Sequence, residues 1–170
     1  RRHTRLQGDW SSDVCSSDLI MPTVVTEVGG GGYYVWASML YQIGSIIGAA
    51  SVGPVWARTG GRGAFMVAGG LFALGTLGCA MSRDMMELIL ARGFQGYGGG
   101  LIIGGTMGFV SRVFAQNLRT RILAVYQGFW SVCSLFGPFV GGAFAEIGWW
   151  RGTFWSFLPL IALFLAATWW

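Results

Sequence analysis

Arg92 and Gln95 are the residues of this chain most able to do chemistry away from bulk water. They lie inside LILARGFQGYGGGLIIGG, residues 88–105, an otherwise apolar run near the ~20 residues needed to cross a bilayer. A guanidinium at membrane depth is costly and usually turns inward to a partner or a wet cavity, so Arg92 is the first candidate functional residue. On a helix, Arg92, Gln95, Gly96, Gly99 and Gly100 fall at i, i+3, i+4, i+7 and i+8, one stripe. At 1.5 Å per residue Arg92 sits roughly 9 Å below Met86, within snorkelling reach of the surface. The glycines beneath it favour a packed or cavity-facing position instead.

Other chemistries find no constellation. His3 stands in a polar terminal segment, no serine or cysteine has a histidine to activate it, and no glycine-rich phosphate loop precedes a lysine, so the chain is not read as an enzyme. Cys15, Cys79 and Cys133 lack metal-ligand spacing, and the last two sit in apolar runs where cysteine acts as a small hydrophobe. Neither a metal nor a cofactor is expected. The net charge of +4 comes without a basic cluster interleaved with exposed aromatics, and nucleic acid is not an expected partner. Glu27, Asp84, Glu87 and Glu146 read as markers of wet loops.

The elements that must position Arg92 follow from composition. With 54% hydrophobic residues, 29 glycines, 9 tryptophans and 11% charged residues, the chain is far from the ~25% charge of a soluble domain and reads as a membrane protein. Residues 1–18, RRHTRLQGDWSSDVCSSD, are polar, repeat Ser-Ser-Asp, and give way abruptly to Leu19. They are similar to translated sequencing-adapter read-through and are set aside as a non-native segment. Leu19 to Val28 reads as the end of a first helix whose beginning is missing, and Gly29 to Gly32 as a turn. Five apolar runs follow, at about 33–56, 64–82, 86–110, 122–145 and 152–170, each expected to be a spanning helix. Short connections make neighbours antiparallel.

Charge sorts the connections into two sides. Arg58, Arg62, Arg112, Arg119 and Arg121 stand on one, with no acid; Glu27, Arg83, Asp84, Glu87, Glu146 and Arg151 stand on the other. The positive-inside rule assigns the first set to the cytoplasm. Trp149, Trp150, Trp155, Trp169 and Trp170 fall near run ends, as interfacial anchors do. Small residues recur every fourth position: Gly44 and Gly48; Gly96, Gly100, Gly104 and Gly108; Cys133, Gly137, Gly141 and Ala145. Such ladders let helix backbones approach closely where no hydrophobic force drives association.

Several of these stretches, in order, resemble the Major Facilitator Superfamily. LILARGFQGYGGG resembles its fourth-helix signature, and GPVWARTGGRGAF, residues 53–65, resembles the signature of its second-to-third cytoplasmic loop at Gly53, Arg58, Gly60 and Arg62. LFGPFVGG, residues 135–142, resembles the fifth-helix signature of the proton-driven antiporters at Gly137, Pro138, Gly141 and Gly142. IMPTVVTEVGG followed by YVW, and the later WWRGTFWSFLP, are similar to the drug:proton antiporter branch.

The resemblance implies an all-α membrane protein, the N-terminal six-helix half of that fold with its first helix truncated and its C-terminal half missing. Arg92 and Gln95 would serve proton coupling or the polar network beside a substrate cavity. Gly137 and Pro138 would bend the fifth helix against the absent half, and the loop signature would act as a cytoplasmic latch. Transport would be a rocking of two halves around a midplane site, driven by the proton gradient and moving a small, drug-like organic compound outward. Uptake of a sugar or organic acid by the same fold, and a non-transporting membrane scaffold, are the alternatives. Gln42, Tyr126, Gln127 and Trp130 are candidate cavity residues. The intact protein is expected to be a monomer, multi-pass in a bacterial inner membrane, with twelve and fourteen helices both open. Three departures stand out: Ala57 replaces an aspartate of the loop signature, Arg112 an acid at the end of the fourth helix, and Cys133 a glycine of the antiporter signature. Asp13 has the spacing of a first-helix acid, nine residues before Pro22, but no role is carried over to it.

Overall fold

The computed structural model describes residues 31–128, 131, 132, 147 and 151–169. The segment 1–18, the expected first-helix end and the antiporter signature at 135–142 lie outside the described residues. After a 3-10 turn at Gly31–Tyr33 come α1 (Tyr34–Ala50), α2 (Val52–Met81), α3 (Met85–Val113), α4 (116–128) and α5 (Arg151–Trp169). Every regular element among the described residues is helical.

The helix ends differ from those expected, for local reasons. No loop opens at 57–63: a single residue, Ser51, separates α1 from α2, and α2 runs through the signature with one break, at Gly60. There φ is 71° and ψ is 176°, a region essentially reserved for glycine, so the chain changes course in one residue. Pro54 is accommodated near the start of α2, where its missing N–H costs little. The α2–α3 turn is held by the Ser82 hydroxyl donating to the Cys79 carbonyl at 2.8 Å, and by the Glu87 carboxylate accepting from the Arg83 amide at 2.9 Å. The helix expected from residue 122 begins at 116, after an extended residue at Phe114.

Glycine decides how the helices stack. Residues 41, 45 and 49 of α1 lie against 96, 100 and 104 of α3, so α1 and α3 run parallel, while 68, 72, 75 and 78 of α2 lie against 98, 95 and 91, so α2 runs antiparallel. A Cβ at Gly44, Gly48, Gly96 or Gly100 would stand closer than 3.0 Å to a backbone oxygen of the opposing helix. Side chains larger than hydrogen would therefore separate α1 from α3. A Cβ at Gly108, the last step of the expected ladder, meets nothing within 4 Å among the described residues, so the close α1–α3 contact ends at Gly104. On the other flank α5 packs on α2, with Leu165 and Phe164 filling the space over Gly69. The spatial order is thus α1, α3, α2, α5.

This packing gathers Arg58, Arg62, Arg112 and Arg119 at one end of the bundle, and Arg83, Asp84 and Glu87 at the other. Between the ends, large apolar side chains point outward: Ile46 is 67% exposed, Leu74 66% and Leu163 70%. A surface of that kind suits lipid rather than water. Among the described residues α2 is the helix long and apolar enough to cross a membrane alone, and Val35–Ala50 and Phe154–Trp169 are shorter apolar helices.

Candidate functional site

Arg92 is 5% exposed, and its guanidinium does not reach for the surface. It lies over the ring of Tyr41 from α1 at 5.8 Å and over the ring of Phe154 from α5 at 5.3 Å. Above it, toward the α2–α3 turn, Cys79, Ala80, Met85, Leu88, Ile89 and Phe154 form the apolar core, which closes that route to water. The two rings supply the negative faces a cation prefers, an interaction that strengthens when both partners are desolvated. Nε and Nη2 of Arg92 are buried with no hydrogen-bond partner among the described residues.

Gln95, one turn deeper and also 5% exposed, faces α2. Its amide nitrogen donates to the Thr76 hydroxyl at 3.0 Å, and that hydroxyl donates back to the Phe72 carbonyl at 2.8 Å. Cys79 Sγ lies 3.9 Å from Gln95 Oε1, a weak S–H contact. Gly75 makes the pairing possible, because a Cβ there would collide with the Gln95 backbone. The five residues of the expected stripe are all buried, but they serve different neighbours. Arg92 turns to α1 and α5, Gln95 to α2, Gly96 and Gly100 to α1, and Gly99 to the Tyr41 hydroxyl and the Phe72 ring.

The remaining candidates are dispersed. Gln42 is half-buried on α1, Tyr126 half-buried on α4, and Gln127 exposed, its carbonyl accepting from the Ser131 hydroxyl at 2.9 Å. Trp130, Gly137, Pro138, Gly141 and Gly142 lie outside the described residues. Gly53, Arg58, Gly60 and Arg62 are exposed at the arginine-rich end. There Arg112 lies over the Trp56 ring at 5.5 Å, Trp56 meets Phe65 edge-on at 5.8 Å and stacks near Phe109 at 6.5 Å, and the Arg119 guanidinium donates to the Ser111 carbonyl. Sequence reasoning missed Tyr41, Thr76 and Phe154 and read Cys79 only as a small hydrophobe. Thr76 and Tyr41 were legible only as polar atoms in apolar runs, and Phe154 carried no signal of its own.

Tightly glycine-packed helices with apolar outer faces, charge sorted to two ends and a buried arginine between them define a multi-pass integral membrane protein. Residues 15–170 match the Major Facilitator Superfamily, and the chain belongs to that family of transporters. It is similar to a probable multidrug-efflux transporter of Mycobacterium tuberculosis, 33% identical over 144 residues, covering 85% of this chain and 31% of that protein. It is also similar to an uncharacterised transporter of the same family from that bacterium, 31% identical over 149 residues (86% of this chain, 26% of the relative). A third relative is an efflux pump of the fungus Dothistroma septosporum, 30% identical over 147 residues, covering 84% of this chain and 25% of the pump. The chain spans between a quarter and a third of the length of these curated relatives.

Proposed function

We propose that residues 19–170 are the amino-terminal bundle of a proton-coupled antiporter that exports a small organic compound across a bacterial cell membrane. The observation that carries this reading is Arg92: a buried cation with hydrogen-bond capacity unused among the described residues, seated between three helices in the bundle interior. A charge so placed is expensive, and in a membrane bundle such groups serve ion or substrate pathways. Relatives named for efflux support the direction of transport. Arg58, Arg62, Arg112 and Arg119, gathered at one end, support a cytoplasmic location for that end. In this reading the glycine-lined contact of α1 and α3 is a close-packed unit that moves as one body while the halves rock about a central site.

The test uses the complete transporter in inverted membrane vesicles with an imposed proton gradient. Arg92→Ala is expected to abolish gradient-driven substrate movement while membrane insertion and yield remain. Undiminished transport by that variant would make Arg92 a structural residue and remove the main support for the reading.

A further inference from the structure

Nε and Nη2 form one edge of a guanidinium, with two N–H bonds pointing the same way, and this is the edge that grips a carboxylate through two parallel hydrogen bonds. In Arg92 both nitrogens of that edge are buried and unpartnered among the described residues. We propose that the edge receives the carboxylate of the transported compound, which makes the substrate class amphipathic organic monoanions. The assignment rests on the export reading above and sharpens it.

Three observations favour a substrate carboxylate. The acids among the described residues are Asp84 and Glu87, both exposed at the α2–α3 turn, and Glu87 already accepts from the Arg83 amide. No described membrane-buried acid therefore neutralises Arg92, and burying one charge unpaired costs more than the pair does. The charge calls for one negative charge and no more: Arg58, Arg62, Arg83, Arg112 and Arg119 stand toward the bundle ends, so a dianion would carry an excess charge into a low-dielectric site. Finally, the rings of Tyr41 and Phe154 occupy the guanidinium's surroundings at 5.8 and 5.3 Å. They hold its plane and offer apolar surface to the hydrocarbon part of a bound acid. The same positive charge disfavours lipophilic cations.

The experiment is equilibrium binding to the complete transporter in lipid nanodiscs, with protein-free discs subtracted. The probes share one chain length: radiolabelled decanoate, with methyl decanoate and decyltrimethylammonium as competitors. Decanoate is expected to bind saturably and to be displaced at least about tenfold less well by the ester and the cation, the scale of one charge-assisted hydrogen bond. Arg92→Lys, which keeps the charge and loses the two-pronged edge, is expected to weaken decanoate binding by at least about tenfold. The comparison of the three probes on the unaltered protein decides the matter even if the variant does not fold. Equal or better binding of the cation, or unchanged decanoate affinity in a folded Arg92→Lys, overturns the assignment. Gradient-driven transport of the three probes separates the two readings. Proton-driven export of the cation without decanoate binding sinks this assignment and keeps the antiport reading, whereas decanoate binding without gradient-driven movement of any probe does the reverse.

Discussion

The Gln95 side-chain amide and the Thr76 hydroxyl meet at 3.0 Å across the α2–α3 interface, in a layer where both residues are buried. The hydroxyl accepts from Gln95 while donating to the Phe72 carbonyl, so one oxygen ties the side chain of α3 to the backbone of α2. Thr76→Val keeps the shape and removes the acceptor, leaving a buried amide donor unsatisfied. It is expected to destabilise the protein by about 1–3 kcal/mol, read as a lower thermal unfolding midpoint in detergent. Adding Gln95→Leu is expected to recover most of the loss, because an apolar pair leaves nothing unsatisfied. A double variant no more stable than Thr76→Val would mean that the bond is incidental to the interface.

The α1–α3 contact makes a sharper claim about glycine. A methyl group at Gly100 would meet the oxygen, carbon and Cα of Ser45, all backbone, whereas one at Gly108 would meet nothing within 4 Å among the described residues. Gly100→Ala is expected to cost about 1–3 kcal/mol or more, since two backbones must part to admit the methyl. Gly108→Ala is expected to be tolerated. Folded yield by fluorescence-detected size exclusion separates the two, and equal yields would contradict the close approach of α1 and α3.

How far the sequence reached depends on what each residue's neighbours add. Helices at these places follow from apolar run length, and the burial of Arg92 from its depth and the glycines beneath it, since both are local properties of α3. The partners of Arg92 and Gln95 were not legible, because Tyr41, Thr76, Cys79 and Phe154 acquire meaning only when α1, α2 and α5 are rotated into place. The same limit applied at the loop signature. Gly60, Gly61 and Gly63 are equal as letters, and which of them carries the break is settled by backbone geometry.

That geometry yields a prediction within the signature itself. Gly53 and Gly60 both match it, yet Gly53 is helical with no described atom within 4 Å of its Cβ position, while Gly60 has φ 71° and ψ 176°. Gly60→Ala is expected to cost about 1–3 kcal/mol in unfolding midpoint, and Gly60→Asn a similar amount, because asparagine tolerates the left-handed helical region and not this one. Gly53→Ala is expected to change little. Comparable losses at both positions would indicate that the break does not depend on glycine.

At the arginine-rich end, Arg112 lies 5.5 Å from the centre of the Trp56 ring, next to Ala57 in the chain. An attraction between a cation and an aromatic face thus joins the first segment of α2 to the end of α3. Trp56 also holds Phe65 and Phe109, so Trp56→Leu alone mixes two losses, and only a double-mutant cycle isolates the cationic part. For the exposed Arg112 the coupling between Trp56→Leu and Arg112→Gln is expected to be about 0.5–1 kcal/mol in unfolding free energy. Arg112→Lys is expected to retain part of it, since an ammonium keeps the charge and loses the flat stacking surface. A coupling indistinguishable from zero would mean that the ring and the guanidinium are neighbours without attraction, and the stability of this end would then rest on the Trp56, Phe65 and Phe109 packing alone.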